Sequence, residues 1–303
     1  MSVLVVGSIG LDSIRTPVAE HAELLGGSAS YCSVAASFFA PVRLVGIVGE
    51  DFPEPHIEYF RSRGIDLDGL QVVPGKTFRW AGEYHQDMNS RTTLSTELNV
   101  FEHFTPILPV AYLDSPIVLL GNISPSLQHH VLDQVESHRF IIADTMNLWI
   151  NIAHEPLLAL LKRIDLLVLN DEEARQLTGE HNLVKAGRAL LAMGPRFVAL
   201  KKGEHGCLLF GQNQFFTCGA YPLEAIHDPT GAGDTFVGTL AGFLASTGVE
   251  DITFEHLCRA LAYASVLASF NVEAFSLERL RNITRDDIDR RYSDFRAMTH
   301  FHV

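Results

Sequence analysis

Positive charge is scarce in this sequence. Lysine and arginine together number 23 against 36 aspartates and glutamates, a formal net charge of −13, and such a balance repels polyanions at long range. Nucleic acid and an acidic membrane face are thereby poor partners, and a small ligand is the better expectation. A nucleotide is still compatible, because backbone amides and a metal ion outweigh the mean field at close range. Long apolar runs are missing as well. The first one covers only residues 3–6 before Gly7, with Asp12 and Arg15 soon after, which suits neither a signal peptide nor a membrane anchor. The four cysteines, Cys32, Cys207, Cys218 and Cys258, include no C-x-x-C pair and have no histidine at zinc-ligand spacing. They read as structural thiols of a reducing compartment, and the chain as cytoplasmic. His129, His130, His300 and His302 show no ligand spacing either and read as surface positions. The loop from Gly7 to Asp12 is no G-x-G-x-x-G fingerprint, which disfavours a dinucleotide-dependent oxidoreductase. Internal repeats, low-complexity tracts and long linkers are also lacking.

What is present is an ordinary globular composition, 47% hydrophobic and 19% charged over 303 residues, enough to bury one large core. Residues 3–7 form a continuous apolar run ended by glycine, the pattern of a strand buried on both faces. Similar runs recur at 43–49, 117–121, 140–143, 166–169 and 197–200. Helical patterns lie between them at 28–39, 55–63, 126–135, 155–163, 171–177 and 184–193. This alternation predicts crossover connections and an α/β fold, a mostly parallel central sheet flanked by helices. After Gly219, the spacing of Phe236, Leu240, Phe243 and Leu244 predicts a helix, and 254–270 a second, largely apolar one.

One stretch breaks the alternation. Residues 67–101 carry no helix signal, but 76–84 alternates, with Phe78, Trp80 and Tyr84 on one face and Thr77, Arg79 and Glu83 on the other. Asp87-Met88-Asn89-Ser90 predicts a turn and 91–99 a return strand. Together with strand material at 13–21, this predicts a small β-sheet lid inserted in a single domain spanning 1–303. The aromatic face has two readings. It packs the lid or joins two lids in a homodimer, or it stacks on a sugar ring or nucleobase.

The strongest chemical signal is Gly231-Ala232-Gly233-Asp234, just before an amphipathic helix. Phosphoryl transfer needs oxygens held in line, charge neutralised on the moving group and a base for the attacking hydroxyl. Glycine-rich backbone at a helix N-terminus offers unpaired N–H groups and the positive end of the dipole. A carboxylate in the first turn can take the hydroxyl proton. The plainer alternative is tight packing plus an acidic helix start.

The whole run Asp228-Pro229-Thr230-Gly231-Ala232-Gly233-Asp234-Thr235-Phe236 closely resembles the C-terminal signature of the ribokinase-like, or PfkB, carbohydrate kinases. Gly26-Gly27 before a small-residue helix resembles that family's N-terminal di-glycine signature, where the lid hinges and backbone approaches substrate. Asp12 matches its acidic residue that holds substrate hydroxyls, though taken alone it is also an ordinary turn residue. Asn170-Asp171-Glu172-Glu173 matches its N-x-x-E motif, which acts through metal and phosphate; by itself the pair reads equally as a helix cap. Lys201-Lys202-Gly203-Glu204-His205-Gly206 resembles the segment beside the nucleotide phosphates and ribose, with Lys201 the favoured lysine. Asp228 and Thr230 match positions that hold a monovalent cation in several relatives, so potassium stimulation is expected; 271–274, which completes that loop, lacks its usual glycine.

The resemblance covers 1–285 and implies a ribokinase-like fold and transfer of the γ-phosphoryl of ATP to a hydroxyl, primary by expectation, of a sugar-like acceptor. It makes Asp234 the base, gives the amides of Gly231, Ala232, Gly233 and Asp234 to the passing group, and puts Asn170 and Glu173 in the outer shell of Mg²⁺. Gly203, Gly206 and Thr230 would lie along the nucleotide. Tyr31 occupies a slot where relatives often carry a sugar-contacting asparagine, so a ribose or hexose role does not carry over intact, and Asn122 is a further candidate for the acceptor. Two alternatives stand beside the sugar kinase: a nucleoside kinase acting on a ribose 5′-hydroxyl, and a silent sugar-binding regulator, against which the intact Asp234 argues.

Overall fold

The structure, a computed structural model, describes residues 1–300; His302 lies outside them. Thirteen strands are present among the described residues: β1 Val3–Val6, β2 Gly10–Arg15, β3 Glu20–Gly26, β4 Val42–Gly49, β5 Ile65–Val73, β6 Phe78–Tyr84, β7 Arg91–Glu97, β8 Ile117–Leu120, β9 Phe140–Asp144, β10 Leu166–Asn170, β11 Phe197–Lys201, β12 Cys207–Gly211 and β13 Gln214–Cys218. The helices are α1 Ser28–Ser37, α2 Glu54–Ser62, α3 Pro125–Gln134, α4 Asn147–Ile152, α5 His154–Leu161, α6 Asp171–Thr178, α7 Leu183–Ala192, α8 Ala232–Thr247, α9 Phe254–Asn271, α10 Glu278–Arg281 and α11 Arg285–Thr299.

All six predicted apolar runs enter one nine-stranded sheet, ordered β13-β12-β11-β10-β9-β8-β1-β4-β5. From β11 to β5 every pairing is parallel, and β12 and β13 close one edge as an antiparallel hairpin. Strand β1 shows why the runs are continuous rather than alternating. Val3 and Val5 point into a core shared with α1, α8 and α9, while Leu4 and Val6 point into one shared with α3, α5 and α7. Both faces are covered, so each residue of the strand is apolar.

The second sheet has the order β3-β2-β6-β7. Strand β2 pairs antiparallel with β3 and parallel with β6, and β6 pairs antiparallel with β7. Its boundaries differ from the predicted lid in two ways. Residues 67–73 belong to β5 on the edge of the main sheet, parallel to β4. Polar residues such as Asp66, Asp68 and Gln71 alternate through β5 because only one of its faces is fully covered, which hides it from a search for apolar runs. The N-terminal contribution is two strands, 10–15 and 20–26, rather than 13–21. The hairpin β12–β13 and helices α4, α10 and α11 were also not predicted. No helix of the described residues is long and apolar enough to cross a membrane.

Helices α1 and α8 run so close that their backbones touch. A Cβ on Gly238 would lie 2.3 Å from the carbonyl oxygen of Cys32, and one on Gly242 would lie 2.6 Å from that of Ala36. This contact fixes the height at which α8 begins, and therefore where its first turn meets the sheet. Alanine is the better helix former by about 1 kcal/mol, yet here it must displace backbone. Gly238→Ala is therefore expected to lower the free energy of unfolding by about 1–3 kcal/mol, the usual range for overpacking, as read by urea denaturation.

Candidate active site

Helix α8 starts at the carboxyl ends of the parallel strands. Its N-cap, Gly231, is left-handed, with φ 72°, a conformation that strains any side chain. Space excludes one too, because a Cβ there would come within 2.3 Å of the Tyr31 ring. The turn is closed by Ala232 N–H donating to Pro229 O at 3.2 Å and Thr235 N–H donating to Gly231 O at 2.8 Å. Among the described residues, no backbone carbonyl takes the N–H groups of Gly231, Gly233 and Asp234, and the Asp234 amide faces its own carboxyl. Three amides thus remain directed at the positive end of a 16-residue helix. Ala232, predicted as a fourth donor, spends its N–H on the turn.

The half-buried carboxyl of Asp234 stands in this first turn. Lys201, the last residue of β11, brings its ammonium to the same point, since a Cβ on Gly233 would lie 3.2 Å from Lys201 Nζ. Lys201 Nζ is also 3.4 Å from both carboxylate oxygens of Asp144, at the end of β9. Burial works against the lysine's charge, but Asp144, Glu173 and Asp234 hold its pKa above the ordinary value. The carboxylates pay the complementary penalty. Burial, then the charge of Asp144, pushes Asp234 up to about 7 despite Lys201 and Arg91. Glu173 is pushed up to about 7 by burial first, with Asp144 adding to it and Lys201 opposing. Asp144 itself is raised by burial against the pull of Lys201.

Asp144 was not anticipated. Its signal was available, a carboxylate closing an apolar strand at the carboxyl edge of a parallel sheet, where ligands of such folds bind. Asn170 and Glu173 form a full capping box: Glu173 N–H donates to Asn170 Oδ1 and Asn170 N–H to Glu173 Oε2, both at 2.8 Å. The cap reading of this pair is therefore realised. Glu173 is nonetheless close enough to Lys201 to influence it, so the same residue also belongs to the site.

A second acidic centre adjoins the first. Asp12, buried on β2, is pushed up to about 8 by desolvation and by the charges of Asp228 and Asp234. Gly26 makes room for it, because a Cβ there would overlap the Asp12 carboxyl at 2.1 Å; Gly27, at φ 89°, packs on the backbone of Ser8 and Ile9. Fully buried Asp228 accepts from Thr230 N–H at 2.9 Å and from Ser276 N–H at 3.0 Å. Asn271 Nδ2 donates to Thr230 O at 2.8 Å. The loop before the anion hole is thus clamped to the end of α9 by protein donors.

Other predicted residues land less directly. Tyr31 is 1% exposed and lies beneath Gly231 rather than beside an open cavity. Its hydroxyl has no hydrogen-bond partner among the described residues, since nearby Ser276 donates its own to Leu25 O at 2.5 Å. Asn122 is engaged by side chains, accepting from Trp149 Nε1 at 2.8 Å and donating to Met146 Sδ at 3.1 Å. Gly206, at φ 79°, is required by the turn after β11, where a Cβ would meet Cys218 O at 2.0 Å. Gly203 faces the lid, its own Cβ position 2.9 Å from Asn89 Oδ1.

The lid reaches over all of this. Thr230 Oγ1 donates to the hydroxyl of Tyr84 on β6 at 3.3 Å, and Asn89, in the β6–β7 turn, donates to Glu204 Oε1 at 3.4 Å. Of the aromatic face, Tyr84 turns into the site, while Trp80 donates to Thr93 Oγ1 within the lid.

Comparison with known proteins bears on this geometry. Cytidine kinase of Thermococcus kodakarensis is 29% identical over 251 residues, covering 81% of this chain and 88% of that protein. The fold is shared with Methanocaldococcus jannaschii nucleoside kinase, an archaeal member of the ribokinase family, at a TM-score of 0.77, 17% identity and 97% and 98% coverage of the two chains. It is shared too with Arabidopsis thaliana ribokinase, solved with ribose and ATP, at a TM-score of 0.75, 23% identity and 96% and 98% coverage. A family profile described as pfkB family carbohydrate kinase matches residues 6–280. With nearly the whole chain matched, the protein belongs to the pfkB family of carbohydrate kinases, phosphotransferases that act on hydroxyl acceptors.

Proposed function

We propose that this chain transfers the γ-phosphoryl of ATP to a primary hydroxyl of a sugar-like acceptor, with Asp234 as general base. One observation carries the reading: the amides of Gly231, Gly233 and Asp234, none taken by a backbone carbonyl, the ammonium of Lys201 and the carboxyl of Asp234 converge at one helix end. The acceptor oxygen attacks the γ-phosphorus as the bond to the β–γ bridging oxygen breaks. Its proton passes to Asp234, and ADP leaves. The amides and Lys201 meet the charge on the passing group. Asp12, at about 8, is largely protonated near neutrality, so it can both donate to and accept from an acceptor hydroxyl. Gly26 and Gly27 hold it there, Asn122 bounds the acceptor side, and Tyr31 supports the anion hole from beneath Gly231.

The site also fits a divalent cation. Asp144, Glu173 and Asp234 gather around the single ammonium of Lys201, which leaves an excess of carboxylates at the site. That suits Mg²⁺, which binds through one or two carboxylates, waters and substrate phosphates. When bound, it would neutralise phosphate charge. Glu173 and Asn170 would hold its water shell, and Gly203, Gly206 and Thr230 would border the nucleotide. Four free thiols suit a reducing cytoplasm. A lid-mediated homodimer belongs to the same proposal, since β7 is exposed along its length.

A nucleoside acceptor is the second reading, favoured by the 29% identity to a cytidine kinase over most of the chain. ADP release with cytidine, inosine and adenosine well above that with ribose or hexoses would select it, and the reverse order would select the free sugar.

Asp234→Asn should reduce kcat by about two to four orders of magnitude, the usual scale for a general base, with binding of an ATP analogue retained. Turnover within a few-fold of wild type would remove Asp234 from the mechanism. The base acts ionised, and its raised pKa puts half-ionisation at about 7. Accordingly kcat/KM is expected to fall about tenfold per pH unit below that point and to level off above it. A profile flat down to pH 5 would contradict the assignment. Potassium stimulation belongs to the same proposal: each Asp228 oxygen accepts a single backbone N–H and keeps a lone pair for a cation. Replacing potassium with a bulky organic cation should lower turnover, and unchanged turnover would remove the cation from the reading.

A further inference from the structure

Two of the thiols face each other where the edge hairpin opens toward the site. Strands β12 and β13 are joined by the turn Gln212-Asn213 and pair residue for residue from Gly211 and Gln214 back to Cys207 and Cys218. Directly opposed residues of an antiparallel ladder share one face, and both cysteines enter the core that α9 covers. There Cys218 Sγ stands 3.9 Å from Ser265 Oγ. The two thiols also act on each other. Contact with Cys218, then burial, holds Cys207 well above the usual thiol range, whereas the same contact lowers Cys218. Cys218 is the more accessible of the pair, at 6% exposure against 1%. It closes β13, the edge strand of the sheet, whose Gln214, Phe215 and Thr217 are exposed. Opening such an edge costs less than unfolding the core.

The position of the pair gives it leverage. Cys207 follows Gly206, which ends the turn 202–206 that borders the nucleotide in the reading above, and Cys218 leads into the loop 219–230 before the anion hole. The turn has no slack, because a Cβ on Gly206 would lie 2.0 Å from Cys218 O. Opposed Cβ atoms in a ladder stand about 4.5–5.5 Å apart, whereas a disulfide needs about 3.5–4.5 Å. A bond between the sulfurs therefore draws the strands together by about 1 Å, at the point where the turn is already in contact.

We propose that Cys207 and Cys218 form a reversible redox switch, in which a hydroperoxide converts the dithiol to a cross-strand disulfide that shifts the 202–206 turn and weakens nucleotide binding. The proposal rests on the reading that this turn borders ATP. With hydrogen peroxide, the Cys218 thiolate attacks one oxygen and the O–O bond breaks, giving a sulfenic acid and hydroxide. The hydroxide takes up the proton that Cys218 lost and becomes water. The Cys207 sulfur then attacks Cys218 Sγ, and the S–O bond breaks, its hydroxyl leaving as a second water with the Cys207 proton. Two electrons thus pass from the thiols to the peroxide. A small dithiol reverses the change by exchange, and a transient bond of this kind is compatible with a reducing compartment.

The test treats the full chain with hydrogen peroxide, then reads initial rates and, after denaturation and alkylation of the remaining thiols, the peptide map. A link between Cys207 and Cys218 is expected, with Cys32 and Cys258 alkylated. KM for ATP should rise about fivefold or more, the lower end of the usual coupling between two sites, and dithiothreitol should restore it. Cys207→Ala should show neither the link nor the change in KM while keeping wild-type turnover. Should that variant misfold, Cys218→Ala carries the same readouts.

Three outcomes overturn the switch. One is the absence of any link; another is a link from Cys218 to Cys258, the other thiol near enough to be influenced by it. The third is the expected link with KM for ATP changed by less than about twofold, below the usual range of coupling. Activity of the reduced enzyme separates this proposal from the one beneath it. If the reduced enzyme transfers no phosphoryl group, the kinase reading fails whatever the thiols do. If it is active and the link or its effect is missing, the switch alone is dismissed.

Discussion

The Lys201–Asp144 pair is the contact on which the arrangement at the sheet's carboxyl edge depends. Desolvation opposes the ammonium at the end of β11, and it is retained because Asp144, Glu173 and Asp234 surround it. A buried pair of this kind is weak evidence for stability. Its effect is on placement: it ties β9 and β11 together across β10 and sets a cation against the first turn of α8. With that cation removed, three neighbouring carboxyls would lose the group that draws them toward ionisation, Asp234 among them.

Glycine supplies the matching constraint from the other side. Gly238 and Gly242 let α8 lie on α1 at backbone contact, and Gly231 lets the start of α8 rest on the ring of Tyr31. The amides therefore open at a height set by packing. Tyr31 acts from below, which explains how a bulky ring occupies a slot that lies close to the chemistry.

The main sheet and the principal helices were legible because both core faces bury nearly every residue of β1, β4 and β8 to β11, leaving long apolar runs. Strand β5 escaped because an edge strand with one covered face keeps aspartates in its pattern. The segment Asp228–Phe236 was legible as chemistry since its glycines, Asp234 and helix are contiguous. Asp144 was hidden in a different way. One carboxylate at a strand end has no pattern until its partner, 57 residues on, is seen beside it. Asn170 and Glu173 were legible in two ways at once, as a cap and as a site, and the structure bears out the cap in full.

That double duty constrains how the protein can change. Glu173 Oε2 holds the amide of Asn170, and the backbone of Glu173 is held in return. Any shorter or neutral side chain alters the charge beside Lys201 and loosens the start of α6 in the same step. Variation at this position is read simultaneously by catalysis and by local order, so a drifting sequence has little freedom to adjust one without the other.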